Sequence, residues 1–164
     1  MATTSFRLEH FTQADFADYL RLTGDDTVMS MITGRALDEV ESRTNFDRIL
    51  QQNKVNPTFG NFKILDAGTG EFIGLAKLVI LNSSDSEVEI GFMLLPEFWG
   101  KGIASSATKQ LIEVARSEQQ LQKIKAVLDP QNKASRKILV NQGFVSEFLG
   151  EIDDLPGEVM QLLL

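Results

Sequence analysis

The chain has 164 residues, 23 acidic against 16 basic side chains, a net charge of −7 and a hydrophobic fraction of 43%. Length and composition describe one soluble globular domain over residues 1–164, with a core of its own, rather than a disordered or membrane chain. Zero Cys excludes disulfides, thiolate metal sites and a cysteine nucleophile, the lone His10 excludes a two-histidine zinc motif, and the acidic balance disfavours nucleic acid and anionic membranes as partners.

Met1 to His10 lacks a basic segment followed by an apolar one, so no signal peptide is expected and the protein is taken as cytoplasmic. Ser5 to His10 alternates as a strand, with His10 a strand residue rather than a base. Thr12 can cap a first helix, with Phe11 and Phe16 spaced as a hydrophobic staple and Phe16, Tyr19 and Leu20 at helical spacing. Asp38 and Glu41 form a capping box for a second helix that continues through Phe46, Ile49 and Leu50. Asn61 to Leu65 and Glu71 to Leu81 read as strands joined by a hairpin at Asp66–Gly70. Glu87 to Leu95 is a further strand. A helix over Ile103 to Glu118 carries the apolar stripe Ile103, Ala107, Leu111, Val114 and Ala115. Lys123 to Leu128 is a strand, and Asn132 to Gln142 a helix stopped by Gly143. Phe144 to Leu164 reads as two strands around an acidic turn, Glu151 to Glu158. The sum is a mixed α/β domain: helices early, an antiparallel meander, then a βαβ crossover.

The chemistry-bearing stretch is strand, then Pro96-Glu-Phe-Trp-Gly-Lys-Gly-Ile-Ala-Ser105, then helix. Gly100 and Gly102 permit backbone conformations that expose successive N–H groups, and the helix start adds unpaired donors and its positive dipole end. Such a loop binds phosphate without a particular side chain, although the same glycines also suit a plain strand-to-helix turn. A P-loop is excluded, because Lys101 lies between the two glycines. A dinucleotide fingerprint is a weak rival: Ser105 replaces its third glycine, while Asp129 could pass for its ribose-binding acid.

The run Glu89-Ile-Gly-Phe-Met-Leu-Leu-Pro-Glu-Phe-Trp-Gly-Lys-Gly-Ile-Ala104 closely resembles the coenzyme A-binding segment of the GNAT superfamily of N-acetyltransferases. Within that superfamily it is similar to the RimJ/RimL-like branch, which acetylates N-terminal amines of ribosomal proteins. A second signature agrees: Asp129-Pro-Gln-Asn-Lys-Ala-Ser-Arg-Lys-Ile-Leu-Val-Asn-Gln-Gly-Phe144, where the family shows Asn-x-x-Ser and a helix ending in Gly-Phe. One position departs. Trp99 stands where the superfamily has Gln or Arg, while Gly102 and Ala104 match, and an aromatic there is common in the narrower branch.

The resemblance implies a central, mixed but mostly antiparallel sheet flanked by about four helices, with a splayed strand pair around the coenzyme. It implies acetyl-CoA as acyl donor, no metal, and a primary amine acceptor, either a small molecule or a protein N-terminus. Coenzyme contacts are then expected from Leu94, Leu95, Trp99, Gly100, Lys101, Gly102, Ile103, Ala104, Ser105 and Asn132. Glu89, through water and with Glu87 behind it, is nominated for the amine's proton; both are equally readable as strand carboxylates in cross-strand ion pairs. Ser135 is nominated to protonate the thiolate, and Asn132 is also readable as a helix cap. Lys101, Lys133 and Arg136 could screen the coenzyme's phosphates. Asp25, Asp26, Glu151, Asp153, Asp154 and Glu158 are candidates for attracting a cationic acceptor. A coenzyme A-binding sensor without turnover is the alternative function, a dinucleotide-binding dehydrogenase a third, and monomer and homodimer both remain open.

Overall fold

Alternating and helical apolar patterns assemble into one seven-stranded sheet with helices on both faces. The structure, a computed structural model, describes residues 5–80 and 82–164. Met1–Thr4, part of the start read above, and Leu81, read as the end of the third strand, lie outside the described residues. The strands are β1 (Phe6–His10), β2 (Gly60–Asp66), β3 (Phe72–Val79), β4 (Glu87–Leu94), β5 (Lys123–Leu128), β6 (Val145–Ile152) and β7 (Leu155–Leu163). Their spatial order is β1-β2-β3-β4-β5-β7-β6, antiparallel throughout except at β4–β5. The helices are α1 (Phe16–Thr23), α2 (Asp26–Met29), α3 (Glu39–Gln52), α4 (Ile103–Arg116) and α5 (Lys133–Asn141). The parallel exception follows from α4, because two parallel strands need a long crossover between them.

Local chemistry sets the element ends. The Asp38 carboxylate accepts from the Glu41 N–H at 2.7 Å and Glu41 accepts from the Asp38 N–H at 3.1 Å, which closes the expected capping box at α3. At α1 the Asp15 carboxylate accepts from both the N–H and the hydroxyl of Thr12, at 2.8 and 3.0 Å. The first turn there is consequently a tight one, and the α-helix proper begins at Phe16. α2 has no counterpart in the sequence reading and adds a short fifth helix among the described residues. Its four residues are too few for an amphipathic repeat, and it is held by Asp25, which accepts from the Val28 N–H at 3.0 Å.

The turn at the chain's end is shorter than expected. Ile152 pairs with Leu155, and the hairpin closes through Asp153 and Asp154 alone, at φ of 50° and 65°. Two consecutive left-handed residues make the twist-matched two-residue turn. Pro156 and Gly157, read as turn residues, lie in β7, where Pro156 pairs with β6 before β7 meets β5 at Glu158. The open side at Pro156 tolerates its missing N–H.

Two apolar layers sandwich the sheet. α4 and α5 cover one face, where Ile103, Ala107 and Leu111 pack with Ile73, Leu78, Ile90 and Ile124. α1 to α3 cover the other over β2 and β3, through Leu22 and Phe46 against Leu65, Phe72 and Leu75. Tyr19 is buried in this second layer, and desolvation pushes its hydroxyl up to about 12. No helix among the described residues is long and apolar enough to cross a membrane.

Candidate active site

β4 and β5 pair only through Glu87–Lys123, Val88–Ile124 and Glu89–Lys125. Beyond Glu89 the strands part, although β4 runs on to Leu94 and β5 to Leu128. On its other edge β4 stays paired with β3, and just past the strand the Leu95 N–H donates to the Ile73 carbonyl at 2.9 Å. Antiparallel alternation then turns the main-chain groups of Ile90, Phe92 and Leu94 toward the gap. That open edge, from Glu89 to Leu94, runs roughly 17 Å at the usual strand rise. Leu95, expected beside Leu94 as a coenzyme contact, has both main-chain groups engaged within the protein, its carbonyl accepting from the Phe98 N–H at 3.0 Å. Ile90 and Phe92 had no signal in the sequence, because hydrogen-bonding parity depends on the register with β3.

At the mouth of the gap the chain turns into α4. Gly100 and Gly102 have φ of 74° and 78°, so both need the left-handed region. A Cβ built on either would meet no protein atom within 4 Å, so conformation rather than crowding calls for glycine here. No side chain caps α4, and the N–H groups of Ile103, Ala104 and Ser105 lie in its first turn, where intrahelical acceptors are lacking. These open donors, the dipole end and the empty space before the two glycines fit a diphosphate. The Trp99 indole N–H donates to the Leu94 carbonyl at 2.9 Å, so this residue latches the loop onto the end of β4. Lys101 rests its ammonium 5.6 Å from the centre of the Phe98 ring.

Because β4 and β5 are parallel, the loops that leave them emerge at the same end of the gap. The β5 loop leads to α5. Asn132 caps that helix, its side-chain oxygen accepting from the Ser135 N–H at 3.2 Å. The Ser135 hydroxyl forms no hydrogen bond to the protein among the described residues. Asp129 accepts from the Gln131 N–H at 2.8 Å and so shapes the turn. Arg136 grips Glu158 with two nitrogens, at 2.9 and 3.2 Å. This bidentate grip holds the Glu158 carboxyl below the usual carboxylate range, against a burial that leaves the residue 2% exposed.

On the opposite face, α1 to α3 stop short of β5 and β7 and leave a cleft of about 560 Å³. Asp85, Glu87, Glu89 and Lys125 line it with Gln52, the last residue of α3, and the apolar Val79, Val127 and Val159. Glu89 reaches the Lys77 ammonium at 2.6 Å. Glu87 lies 3.5 Å from Lys123 and 3.4 Å from Lys125, and those two lysines also approach Glu147, at 3.3 and 3.8 Å. The cross-strand pairs foreseen for both carboxylates therefore form, at the point where the gap opens. Other acidic candidates are engaged elsewhere: Asp25 caps α2, Asp26 accepts from the Ala36 N–H at 2.9 Å, and Glu158 faces α5. His10 contacts the Phe59 carbonyl at 3.0 Å and stacks on Phe62, a structural position.

The same architecture occurs in a spermidine N-acetyltransferase from Vibrio cholerae solved with CoA and spermine, at a TM-score of 0.79 and 18% identity over 96% of this chain and 95% of that one. Among curated proteins, an uncharacterized N-acetyltransferase p20 from Bacillus licheniformis is 34% identical over 88 residues, 54% of this chain. The FsC-acetyl coenzyme A-N(2)-transacetylase of Aspergillus fumigatus is 26% identical over 147 residues, 84% of this chain and 62% of that protein. The chain spans about half the length of the first of these, 49%. The acetyltransferase (GNAT) domain family matches residues 5–145, a stretch that holds both the glycine loop and the Asn132–Phe144 segment. This chain belongs to that family.

Proposed function

We propose that the protein is an acyl-CoA-dependent N-acyltransferase that moves acetyl from acetyl-CoA to a primary amine by direct attack in a ternary complex. The observation that carries this is the parallel β4–β5 pair opening after Glu89, with the glycine-flanked start of α4 at its mouth. Acetyl-CoA supplies an activated thioester, and direct attack by the amine asks no covalent nucleophile of the chain. Main-chain N–H groups from Gly100 to Ser105 would hold the diphosphate, Lys101 would screen it, and Trp99 would keep the loop in place. The main-chain groups of Phe92 and the Leu94 N–H would pair with the pantetheine arm, and an N–H on that edge would polarise the thioester carbonyl. Glu89 takes the amine's proton, directly or through water, with Glu87 next along the same face. Ser135 protonates the departing thiolate, its helix start fixed by Asn132.

Of the carboxylates that line the cleft, Glu87 and Glu89 are paired with lysines, while Asp85 has no ion-pair partner among the described residues. Together with the chain's charge of −7, that favours an acceptor bearing positive charge. A small polyamine-like molecule and a basic protein N-terminus both meet the description. The Vibrio cholerae neighbour, solved with spermine, supports the first; the aromatic residue at position 99, shared with the ribosomal N-terminal branch, supports the second. Calorimetry with acetyl-CoA and thiol release over a panel of amines and N-terminal peptides test the proposal. Binding with amine-dependent thiol release is expected, and Ser135→Ala should lower kcat with coenzyme affinity unchanged. Binding with no amine-dependent release across the panel would make the domain a coenzyme A sensor, and no binding heat would end the proposal.

A further inference from the structure

Lys77 stands directly opposite Gly91 in the β3–β4 ladder, one side-chain step from Glu89. Its stem lies across the glycine: a Cβ built at Gly91 would fall 2.7 Å from the Lys77 Cε, 3.3 Å from Cγ and 3.5 Å from Cδ. The ammonium then reaches diagonally to the Glu89 carboxylate at 2.6 Å. Apart from Asp85, the remaining charges on this face are matched among themselves. Lys125, across the ladder from Glu89, turns to Glu87 and Glu147, as does Lys123, while Asp85 lines the cleft beside them and α3 presents only the uncharged Gln52. Among the described residues, Lys77 and Glu89 have each other as their only ion-pair partner. Both side chains are about a third exposed, 34% and 39%, so the contact adds little stability. Its geometry is nonetheless defined at both ends, by a trough with no side chain and by a carboxylate at the last position where β4 pairs with β5.

We propose that Lys77, seated on Gly91, is the positioning residue for Glu89: it holds that carboxylate at the apex of the gap, oriented to receive the proton of the attacking amine. The role rests on the proton-accepting function proposed above for Glu89. In the ternary complex the amine nitrogen bonds to the thioester carbon and gives its proton to Glu89, the C–S bond breaks and coenzyme A leaves as a thiolate that takes a proton from Ser135, and Lys77 keeps its own proton throughout. The absent side chain at residue 91 is what allows a lysine from the neighbouring strand to cross β4 at that level. A carboxylate without that guide samples several rotamers, and misplacing a catalytic group by about 1 Å can slow a reaction by about 100-fold.

The test is a double-mutant cycle on steady-state acetyl transfer, using the amine that supports the fastest thiol release. Lys77→Met, which keeps a stem of similar shape over Gly91, should lower kcat by about 10- to 100-fold with little change in the KM for acetyl-CoA. Lys77→Arg should restore most of the rate. Gly91→Ala should reproduce the loss while the protein stays folded, because the contacted atom is the far end of a flexible side chain. In a Glu89→Gln background, Lys77→Met should cost nothing further. Equal losses from Lys77→Met in both backgrounds, or no loss in either, would overturn the positioning role while leaving Glu89 its own. An unchanged kcat in Glu89→Gln would instead remove Glu89 from the proton route, and the role of Lys77 with it.

Discussion

Arg136→Met tests whether α5, the helix that begins beside Ser135, is anchored electrostatically. The Glu158 side chain is 3% exposed and its two oxygens are matched by two Arg136 nitrogens, so removing the guanidinium leaves a buried carboxylate with only the Ser146 hydroxyl beside it. Breaking a fully buried pair costs about 3–5 kcal/mol. Arg136 is 43% exposed, so the loss is that of the Glu158 carboxylate left under-satisfied in the interior, about 1–3 kcal/mol. For a chain of this length that is a fall in Tm of roughly 2–12 °C. Urea denaturation at neutral pH measures it, and adding Glu158→Gln to the variant should recover more than half, because the stranded charge is gone. The pH dependence has a definite sign. The Glu158 carboxyl is held down in the folded protein, so the pair contributes fully above the unfolded glutamate range, near ~4.3, and is lost as pH falls through the folded value. The gap between wild type and Arg136→Met should therefore narrow in acid. A loss below about 0.5 kcal/mol at neutral pH, or a gap that widens in acid, refutes the anchoring.

Three further outcomes are expected. Gly102→Ala should destabilise by about 1–2 kcal/mol through its φ of 78°, and Gly102→Glu should in addition abolish the heat of coenzyme A binding by placing a carboxylate among the open N–H groups. Trp99→Phe removes the hydrogen bond to the Leu94 carbonyl, worth about 1 kcal/mol, and should weaken coenzyme binding roughly fivefold by calorimetry. Trp99 is also the chain's only tryptophan, so its fluorescence in the wild type should change on titration with coenzyme A. Asp154→Gly relieves a left-handed residue at φ 65° and should stabilise by about 0.5–1 kcal/mol, read as a higher urea midpoint.

Local signals carried the elements they could reach. The Asp38–Glu41 box, the Ile103–Ala115 stripe and Gly143 each act within one or two turns, and the corresponding helices stand where they were read. Pattern failed where a neighbour decided. Pro156-Gly157 looks like a turn in isolation, yet β6 pairs with it and the reversal falls on two aspartates. Glu158 belongs to an acidic run in the sequence and to a buried pair in the structure, because strand alternation aims it at α5.

The chain's residue order alone determined a loop with two left-handed glycines, open main-chain donors and the helix that follows, since those properties depend on φ preferences and on donors that any helix start leaves free. Tertiary structure decided which main-chain groups of β4 face the gap, and that Glu89 lies at its apex under Lys77. Those outcomes depend on the register of β3 against β4 and on where β5 ceases to pair, and register is a relation between segments far apart in the chain that no single segment encodes.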